Sequence, residues 1–375
     1  MNIVVNARFG VKKTGIGRVI ESLLTELAKR DTSNKYFIYV NEEFINEFDF
    51  KNPNFKILSN GVSAYNMIKN HIWTQTGLYK ALKEHKADLL ILPGITLFWR
   101  KKVPTILFQH DLIEYYIPNQ KWYKLLFRKL TFPTALRLAD RVVCVSKNTL
   151  NDVKKIFNIK DEKLELIYNG VDYSLFKNTD KKLAKQILAN KYNIDIDYYL
   201  YVGTLTQPQK NLVRLIQAFA KLKKEGLKEK LVLVGNDGKD CQLIYDEIKK
   251  QNIEEDVIRV GYVEDEDLKH FFSGAELFTF PSLYEGFGLP VLEAMTCNCP
   301  CLTSNNSSLG EISEGAAIQV NPESVSSIYS GLKRFNETPN LRNELILKEK
   351  KKSKYFNWNQ SGLNFYQLID SFKKE

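Results

Sequence analysis

The chain has 375 residues, with 54 Lys and Arg against 44 Asp and Glu, a formal net charge of +10. This length exceeds what one hydrophobic core usually serves, so two domains are expected. No apolar run reaches the roughly 18 residues of a membrane-spanning helix, and residues 1–8 resemble a short strand rather than a signal peptide. We therefore expect a cytoplasmic protein, either soluble or peripheral to a membrane.

The chain alternates short apolar runs with amphipathic stretches. In the first half an amphipathic stretch covers residues 17–27, and strands are predicted at residues 3–5, 36–40, 88–92, 105–108 and 141–145. A second alternation predicts strands at residues 198–202, 231–234, 257–260, 277–280 and 300–303. This pattern predicts an α/β fold of two Rossmann-like, doubly wound domains facing across a cleft, with ligands at the carboxyl ends of the strands.

The polar segment 172–180 separates the two alternations. We place the domains at residues 1–176 and 177–357. Residues 1–176 hold 27 Lys and Arg against 17 Asp and Glu, whereas residues 177–375 hold 27 of each. The first domain should therefore meet an anion such as a lipid headgroup or a lipid-linked phosphate. Nucleic acid is not expected, because no recognition motif accompanies the charge.

Five cysteines are present, at positions 144, 241, 297, 299 and 301. An odd, scattered set fits a reducing compartment better than a disulfide framework. The cluster at 297–301 lacks the paired spacing of zinc sites and has no histidine near it in sequence, so packing is favoured over a metal site. No cofactor is expected.

The segment 281–295 carries two carboxylates around a glycine-rich turn and a predicted helix start. Its candidate site residues are Glu285, Gly286, Phe287, Gly288, Leu289 and Glu293. Glycines allow close backbone approach, and N–H groups at a helix start favour an anion such as a pyrophosphate. Glu285 could then bind sugar hydroxyls and Glu293 a ribose. Two solvated glutamates on an ordinary strand–turn–helix are the alternative.

Three further candidates follow predicted strands. Gly203, Thr204, Gln209 and Lys210 lie in a loop before a helix predicted at residues 212–222. Lys210 could neutralise charge on a leaving pyrophosphate, since a cation at a helix start is otherwise opposed by the helix dipole. Gly15 and Gly17 are placed in a loop before a helix from Arg18, where a plain turn would serve equally well. His110 lies at a strand's carboxyl end, where it could also be merely a hydrogen-bonded loop residue.

Taken together, these motifs resemble the retaining GT-B glycosyltransferases of family 4, also called glycosyltransferases group 1. The resemblance covers nearly the whole chain and rests on the order of Gly15–Arg18, His110–Asp111, Val145–Lys147, Asn169–Asp172, Tyr201–Thr204, Lys210–Asn211 and Glu285-x7-Glu293. It implies that Gly15 and Gly17 lie under the donor phosphates and that His110 contacts the transferred sugar or its phosphate. It also implies that Tyr262 and Val263 border the nucleotide base, and that residues 358–375 pack back on the first domain.

The resemblance further implies metal-independent transfer of a hexose from a nucleotide-diphosphate sugar. Many members carry Arg where this chain has Gln209, which removes one cationic contact. The first expectation is mannose from GDP-mannose, passed to a lipid-linked or polysaccharide acceptor in bacterial surface polysaccharide or lipopolysaccharide synthesis. UDP-hexoses, an activated rhamnose, a nucleotide-sugar epimerase and an inactive nucleotide-binding scaffold remain alternatives.

The basic and aromatic stretch 121–130 predicts contact with the inner face of the membrane, although an amphipathic helix packed on its own domain fits equally. Trp99, followed by Arg100, Lys101 and Lys102, is a second candidate patch.

Overall fold

The computed structural model describes residues 1–8, 15–94, 102–117 and 122–373, without the side chains of residues 122–125 and 127. It divides into two compact units. Unit 1 is Met1–Glu114, Gln120–Gly170 and Trp358–Glu375, and unit 2 is Tyr115–Asn119 and Val171–Asn357. Among the described residues, no helix combines the length and the apolar character needed to cross a bilayer.

The first half of the chain alternates strands and helices. Its elements are β1 (Asn2–Asn6), α1 (Gly15–Arg30), β2 (Lys35–Val40), β3 (Phe55–Ser59), α2 (Met67–Gln75), α3 (Gly77–Glu84), β4 (Leu89–Leu92), β5 (Thr105–Gln109), α4 (Ile113–Tyr116), α5 (Trp122–Leu138), β6 (Arg141–Cys144), α6 (Lys147–Phe157) and β7 (Leu164–Leu166).

These strands form a seven-stranded sheet in the order β3-β2-β1-β4-β5-β6-β7, with every described pair parallel. The sequence missed the two edge strands. Both mix polar residues into their short runs, as in Leu-Glu-Leu at 164–166, and neither is buried along its full length. An edge strand covered on fewer sides lacks the continuous apolar run that marks a central parallel strand.

The second half repeats the alternation. Its elements are α7 (Lys181–Tyr192), β8 (Tyr198–Val202), α8 (Leu212–Lys224), β9 (Lys230–Val234), α9 (Gln242–Gln251), β10 (Val257–Gly261), α10 (Asp265–Gly274), β11 (Leu277–Phe280), α11 (Leu289–Thr296), β12 (Cys301–Ser304), α12 (Ser307–Ile312), β13 (Ile318–Val320), α13 (Val325–Glu337), α14 (Leu341–Ser353) and α15 (Trp358–Ser371).

Unit 2 contains a six-stranded sheet in the order β10-β9-β8-β11-β12-β13, again parallel in every described pair. Its centre is aromatic: Tyr201 of β8 stacks on Phe280 of β11 with ring centroids 5.7 Å apart, and both side chains are buried. The predicted α/β class with two doubly wound parallel sheets is confirmed.

The division between the units falls at Gly170 and Val171, earlier than residue 176. Val171 donates its N–H to the carbonyl of Phe356, and the Phe176 ring lies edge-on to Phe272, so both belong with unit 2. Helix α15 packs on α1 of unit 1, where a Cβ at Gly362 would lie 2.4 Å from Glu26. Gly362 therefore permits this close approach of the two helices.

Candidate active site

The loops after β8 and β11 meet at the switch point of the unit 2 sheet. These strands are neighbours, with Tyr199 opposite Leu277, but the chain visits β9 and β10 on one side before returning to β11 on the other. Open α/β sheets bind ligands in the crevice that such a reversal leaves at the carboxyl edge. Lys210 lies in the first loop and Glu285 in the second.

Lys210 and Glu285 form an ion pair, with Nζ 2.7 Å from Oε1. Their side chains are only 17% and 12% exposed, and Nζ also lies 5.1 Å from the centroid of the Phe280 ring. Such shielding strengthens the attraction relative to a surface pair. The anion that offsets Lys210 at the start of α8 is therefore Glu285, so the helix dipole does not by itself call for a bound phosphate.

Gly288 sets the geometry of the turn that follows Glu285. Its φ is +112°, in the left-handed region, and it caps the N-terminus of α11. A Cβ there would lie 2.6 Å from Cδ2 of Leu309. Pro290 occupies the first turn of α11, where a missing N–H removes no helical hydrogen bond. The backbone geometry of this turn therefore explains why the sequence has glycine at 288 and proline at 290.

The other candidate residues of segment 281–295 differ in burial and in their neighbours. Glu293 lies within α11 and is 4% exposed. The Phe287 ring is buried edge-on against Phe356, with centroids 5.9 Å apart, so it anchors the turn. Gly286 and Leu289 are partly exposed beside it.

Gln209 links the two loops of the switch point. Its carbonyl accepts the N–H of Leu283 at 2.8 Å, and its side-chain Nε2 lies 3.5 Å from the carbonyl of Tyr284. In the same loop, Gly203 has a φ of +146° and Thr204 is exposed. Gln209 therefore connects the β8 loop to the β11 loop through uncharged contacts.

The loop after β10 carries the two residues expected near a nucleotide base. Tyr262 is 42% exposed and donates its hydroxyl hydrogen bond to Glu264 at 3.2 Å, whereas Val263 is buried. Both belong to unit 2.

Side chains that the sequence analysis missed hold the carbonyls of the β11 loop. Amides or hydroxyls donate to successive carbonyls: Asn211 to Pro281 at 2.9 Å, Ser304 to Ser282 at 2.5 Å, Asn306 to Leu283 at 3.0 Å, and Ser308 to both Glu285 and Phe287 at 2.8 Å. The available signal was the polar run Ser304–Ser308, which begins at the last residue of the buried strand β12, at the same sheet edge.

His110 belongs to unit 1, at the carboxyl end of β5, and Nε2 lies 2.5 Å from the carbonyl of Pro93. Burial lowers the pKa of His110, so the imidazole is neutral near pH 7. Since only a protonated Nε2 can donate to that carbonyl, Nδ1 is left as an acceptor. His110 can thus accept a hydrogen bond but supplies no charge.

Gly15 and Gly17 also belong to unit 1, and their predicted placement was wrong. Helix α1 begins at Gly15 rather than at Arg18, so both glycines lie in its first turn. Glycine is disfavoured inside helices, but the first N–H groups of a helix have no intrahelical partner, so the penalty there is small. Residues 9–14 of the preceding loop lie outside the described residues.

The cysteine cluster is part of the core. Cys297, Cys299 and Cys301 are fully buried, and burial raises the pKa of each thiol, so they are not thiolates. Within the described ranges, no group of three or more His, Cys, Asp or Glu is arranged to hold a metal ion.

The two basic patches of the sequence analysis are only partly covered. Trp99, Arg100, Lys101 and Lys121 lie outside the described residues. In helix α5, Lys129 is exposed and Arg128 forms an ion pair with Glu114. Arg128 is therefore already engaged within unit 1.

Both halves of the chain match known sequence families. Residues 13–175 match the model described as Glycosyltransferase Family 4, and residues 184–352 match Glycosyl transferases group 1. An O-antigen chain mannosyltransferase B of Escherichia coli is 33% identical over 46% of this chain and 46% of its own length.

A second relative, from Campylobacter jejuni, is an N-acetylgalactosamine-N,N'-diacetylbacillosaminyl-diphospho-undecaprenol 4-alpha-N-acetylgalactosaminyltransferase. It is 31% identical over 58% of this chain and 56% of its own length, so the matches span about half of these relatives. Among solved structures, sucrose-phosphate synthase from Thermosynechococcus elongatus superposes with a TM-score of 0.81 at 18% identity, covering 100% of this chain and 99% of the other. The likeness establishes the GT-B fold.

Proposed function

Because this chain belongs to glycosyltransferase family 4, the glycosyl transferases group 1, we propose that it transfers a hexose from a nucleotide-diphosphate sugar with retention of configuration. The first donor we propose is GDP-mannose, from which mannose is transferred. The acceptor is lipid-linked or a polysaccharide. One relative is described as an O-antigen chain mannosyltransferase, which supports mannose as the transferred sugar. The name of another relative includes a diphospho-undecaprenol substrate, which supports a lipid-linked acceptor. The pathway is bacterial surface polysaccharide assembly at the cytoplasmic side of the membrane.

The observation that carries this proposal is the Lys210–Glu285 pair at the unit 2 switch point, beside the start of α11. An incoming diphosphate competes with Glu285 for the ammonium of Lys210. The released carboxylate then accepts hydrogen bonds from sugar hydroxyls. As the sugar–phosphate bond breaks, Lys210 neutralises the charge that develops on the diphosphate, which is the interaction that accelerates such a step most.

The other residues have supporting roles in this mechanism. Glu293 binds the ribose, and the backbone at Tyr262 and Val263 borders the base. Neutral His110 accepts a hydrogen bond from the sugar through Nδ1. No general base is needed, since the departing diphosphate on the same face accepts the acceptor's proton. Transfer proceeds without an obligatory metal. Of the two Asp-x-Asp sequences, Asp195–Asp197 precedes β8, and Asp265–Asp267 begins α10, where Asp267 accepts a hydrogen bond from the hydroxyl of Tyr192 at 2.7 Å.

Thermal unfolding with a panel of nucleotide sugars tests the donor. A ligand at 100 times its Kd stabilises the folded state by about 2.7 kcal/mol, a readily measured shift. GDP-mannose is expected to raise the transition temperature more than UDP-glucose, UDP-N-acetylgalactosamine or dTDP-rhamnose. If no nucleotide sugar stabilises the protein, the proposal fails.

The identity of the products separates the enzyme classes. Incubation with GDP-mannose and a lipid-linked acceptor should give GDP and an extended acceptor with an α-anomeric linkage. Conversion of the donor sugar without any acceptor would instead identify an epimerase. Donor binding without turnover under either condition would favour the inactive nucleotide-binding scaffold.

A further inference from the structure

A short segment from the first half of the chain belongs to unit 2. Residues 115–117, the described part of the segment Tyr115–Asn119, cluster with unit 2, whereas the chain up to Glu114 belongs to unit 1. Helix α4 contains this transition. Glu114 forms an ion pair with Arg128 of α5, which holds the start of α4 in unit 1. The segment is therefore anchored at the point where it leaves unit 1.

Tyr116, at the end of α4, places an aromatic ring on the β11 loop. This ring stacks on that of Tyr284, with centroids 4.7 Å apart and planes inclined by 15°. Tyr284 is 4% exposed, whereas Tyr116 is 46% exposed, so the outer ring covers the buried one. Aromatic rings at this spacing stabilise each other beyond the apolar area that they bury. The stack thus attaches the loop to a part of the chain that is distant in sequence.

Side chains contact six carbonyls of the β11 loop, and the contact at Tyr284 is the longest of them. The donors to the carbonyls of residues 281, 282, 283, 285 and 287 lie 2.5–3.0 Å away. The donor to the Tyr284 carbonyl is Nε2 of Gln209, at 3.5 Å, which is weak for a hydrogen bond. Stacking by Tyr116 therefore acts at the residue where this set of contacts holds the loop least.

Tyr284 directly precedes Glu285, so its placement affects where the Glu285 carboxylate lies. That carboxylate is 2.7 Å from Nζ of Lys210. A shift of about 1 Å in a group that positions a substrate can slow a reaction about 100-fold. A small displacement of Tyr284 would therefore be measurable in turnover.

We infer that Tyr116 is a positioning residue for Glu285. Through its stack on Tyr284 it holds the β11 loop so that the carboxylate meets both Lys210 and the hydroxyls of the hexose. The inference rests on the proposed function and deepens it, because it adds a residue from the first half of the chain to the donor side of the reaction. Tyr116 acts through Tyr284 and needs no contact with the donor.

Steady-state kinetics of the full chain test the inference. Tyr116→Ala should lower kcat for hexose transfer by roughly three- to tenfold, the size expected for the loss of one aromatic stack. The Kd of GDP should be unchanged, because Glu285 binds the sugar rather than the diphosphate. Tyr116→Phe keeps the ring and should retain the kcat of the wild type.

Tyr192→Ala is the matched control. Tyr192 is also partly exposed, and it packs on a buried ring of unit 2, that of Phe271, with centroids 4.9 Å apart. It lies on α7, outside the loops after β8 and β11. Loss of this second aromatic pair should leave kcat unchanged.

A double-mutant cycle tests the stack itself. In Tyr284→Leu, which lacks the partner ring, Tyr116→Ala should cause little further loss of kcat, since the effects of residues in contact are not additive. An equal loss in both backgrounds would overturn the inference. So would a wild-type kcat in Tyr116→Ala, or a loss in Tyr116→Phe as large as in Tyr116→Ala.

Hydrogen exchange separates this inference from the proposed function. In the protein without ligand, peptides covering residues 281–288 should exchange faster in Tyr116→Ala than in the wild type, and at the wild-type rate in Tyr192→Ala. Unchanged exchange in Tyr116→Ala would overturn the positioning role whatever the activity. If the wild type transfers no hexose while exchange still depends on Tyr116, the proposed function fails and the hold of Tyr116 on the β11 loop stands.

Discussion

The ammonium group of Lys210 lies 2.7 Å from Oε1 of Glu285, joining the loops at the carboxyl ends of β8 and β11. The two charges of this pair offset each other. A nucleotide diphosphate brings negative charge to Lys210 and displaces the carboxylate toward the sugar. One contact can thus couple the arrival of the donor to the exposure of a group that binds the hexose.

Replacing Lys210 by Met should lower turnover by about 100-fold or more, because removing one group that stabilises transition-state charge has an effect of that size. The measurement is kcat for hexose transfer at saturating donor. Lys224, exposed at the other end of α8, provides the control as Lys224→Met and should retain wild-type turnover. Near-normal activity in Lys210→Met would move the phosphate contact elsewhere, with Arg214, in the first turn of α8, the next cation.

The two glutamates of the β11 segment should separate binding from turnover. Glu293→Ala is expected to weaken nucleoside diphosphate binding by about 1.5–3 kcal/mol, the value of hydrogen bonds to a charged group. Glu285→Ala should retain or increase that affinity, because it frees Lys210, while kcat falls. Isothermal titration with GDP and steady-state kinetics measure the two effects. Unchanged GDP affinity in Glu293→Ala would rule out the ribose contact.

Much of the fold followed from local pattern, because central parallel strands such as β8 and β11 are continuous apolar runs. Gly288 and Pro290 likewise predicted the start of α11. The Lys210–Glu285 contact could not be predicted in the same way, since it depends on strands that are adjacent in space but distant in sequence. The start of α1 was misplaced because two glycines resemble a loop, although a first helical turn tolerates them.

The sequence analysis also did not predict which side of α2 faces the protein. Its apolar residues at 67, 68 and 72 suggest a buried face, whereas the structure places Asn70 and Thr74 inward. A hydrophobic pattern indicates which residues share a side of a helix, but it does not say which side faces the protein. The hydrogen bonds of Asn70 and the packing of the Trp73 ring on Tyr39, with centroids 5.4 Å apart, determine that orientation.

Ser308 should act as a positioning residue for Glu285. Its hydroxyl hydrogen bonds to the carbonyls of Glu285 and Phe287, and the residue is fully buried. Ser308→Ala leaves those carbonyls without this donor, which should lower the free energy of unfolding by about 1–3 kcal/mol and reduce kcat more than donor affinity.

The neighbouring Ser282 offers the control. Its hydroxyl is also buried, but it has no hydrogen-bond partner among the residues that the structure describes. Ser282→Ala should therefore be neutral or stabilising, with unchanged kcat. Equal effects of the two substitutions, measured by thermal unfolding and steady-state kinetics, would show that Ser308 does not position the turn.

Glu349 of α14 should make stability depend on pH. Burial raises the pKa of its carboxyl group from 4.5 to about 8, and Oε1 accepts the N–H of Cys301 at 2.8 Å. Between these values the folded protein keeps a proton that the unfolded chain releases, so stability falls as pH rises through this window. The full loss corresponds to about 3–5 kcal/mol.

Glu349→Gln should remove that slope, because the amide oxygen can still accept from Cys301 and the side chain no longer titrates. The transition temperature of the variant should exceed that of the wild type by an amount that grows from about pH 5 to about pH 8. Glu344, exposed on the same helix, provides the control substitution Glu344→Gln, which should track the wild type across the range. A constant difference between Glu349→Gln and the wild type at all pH values would show that the buried carboxyl group does not bind a proton on folding.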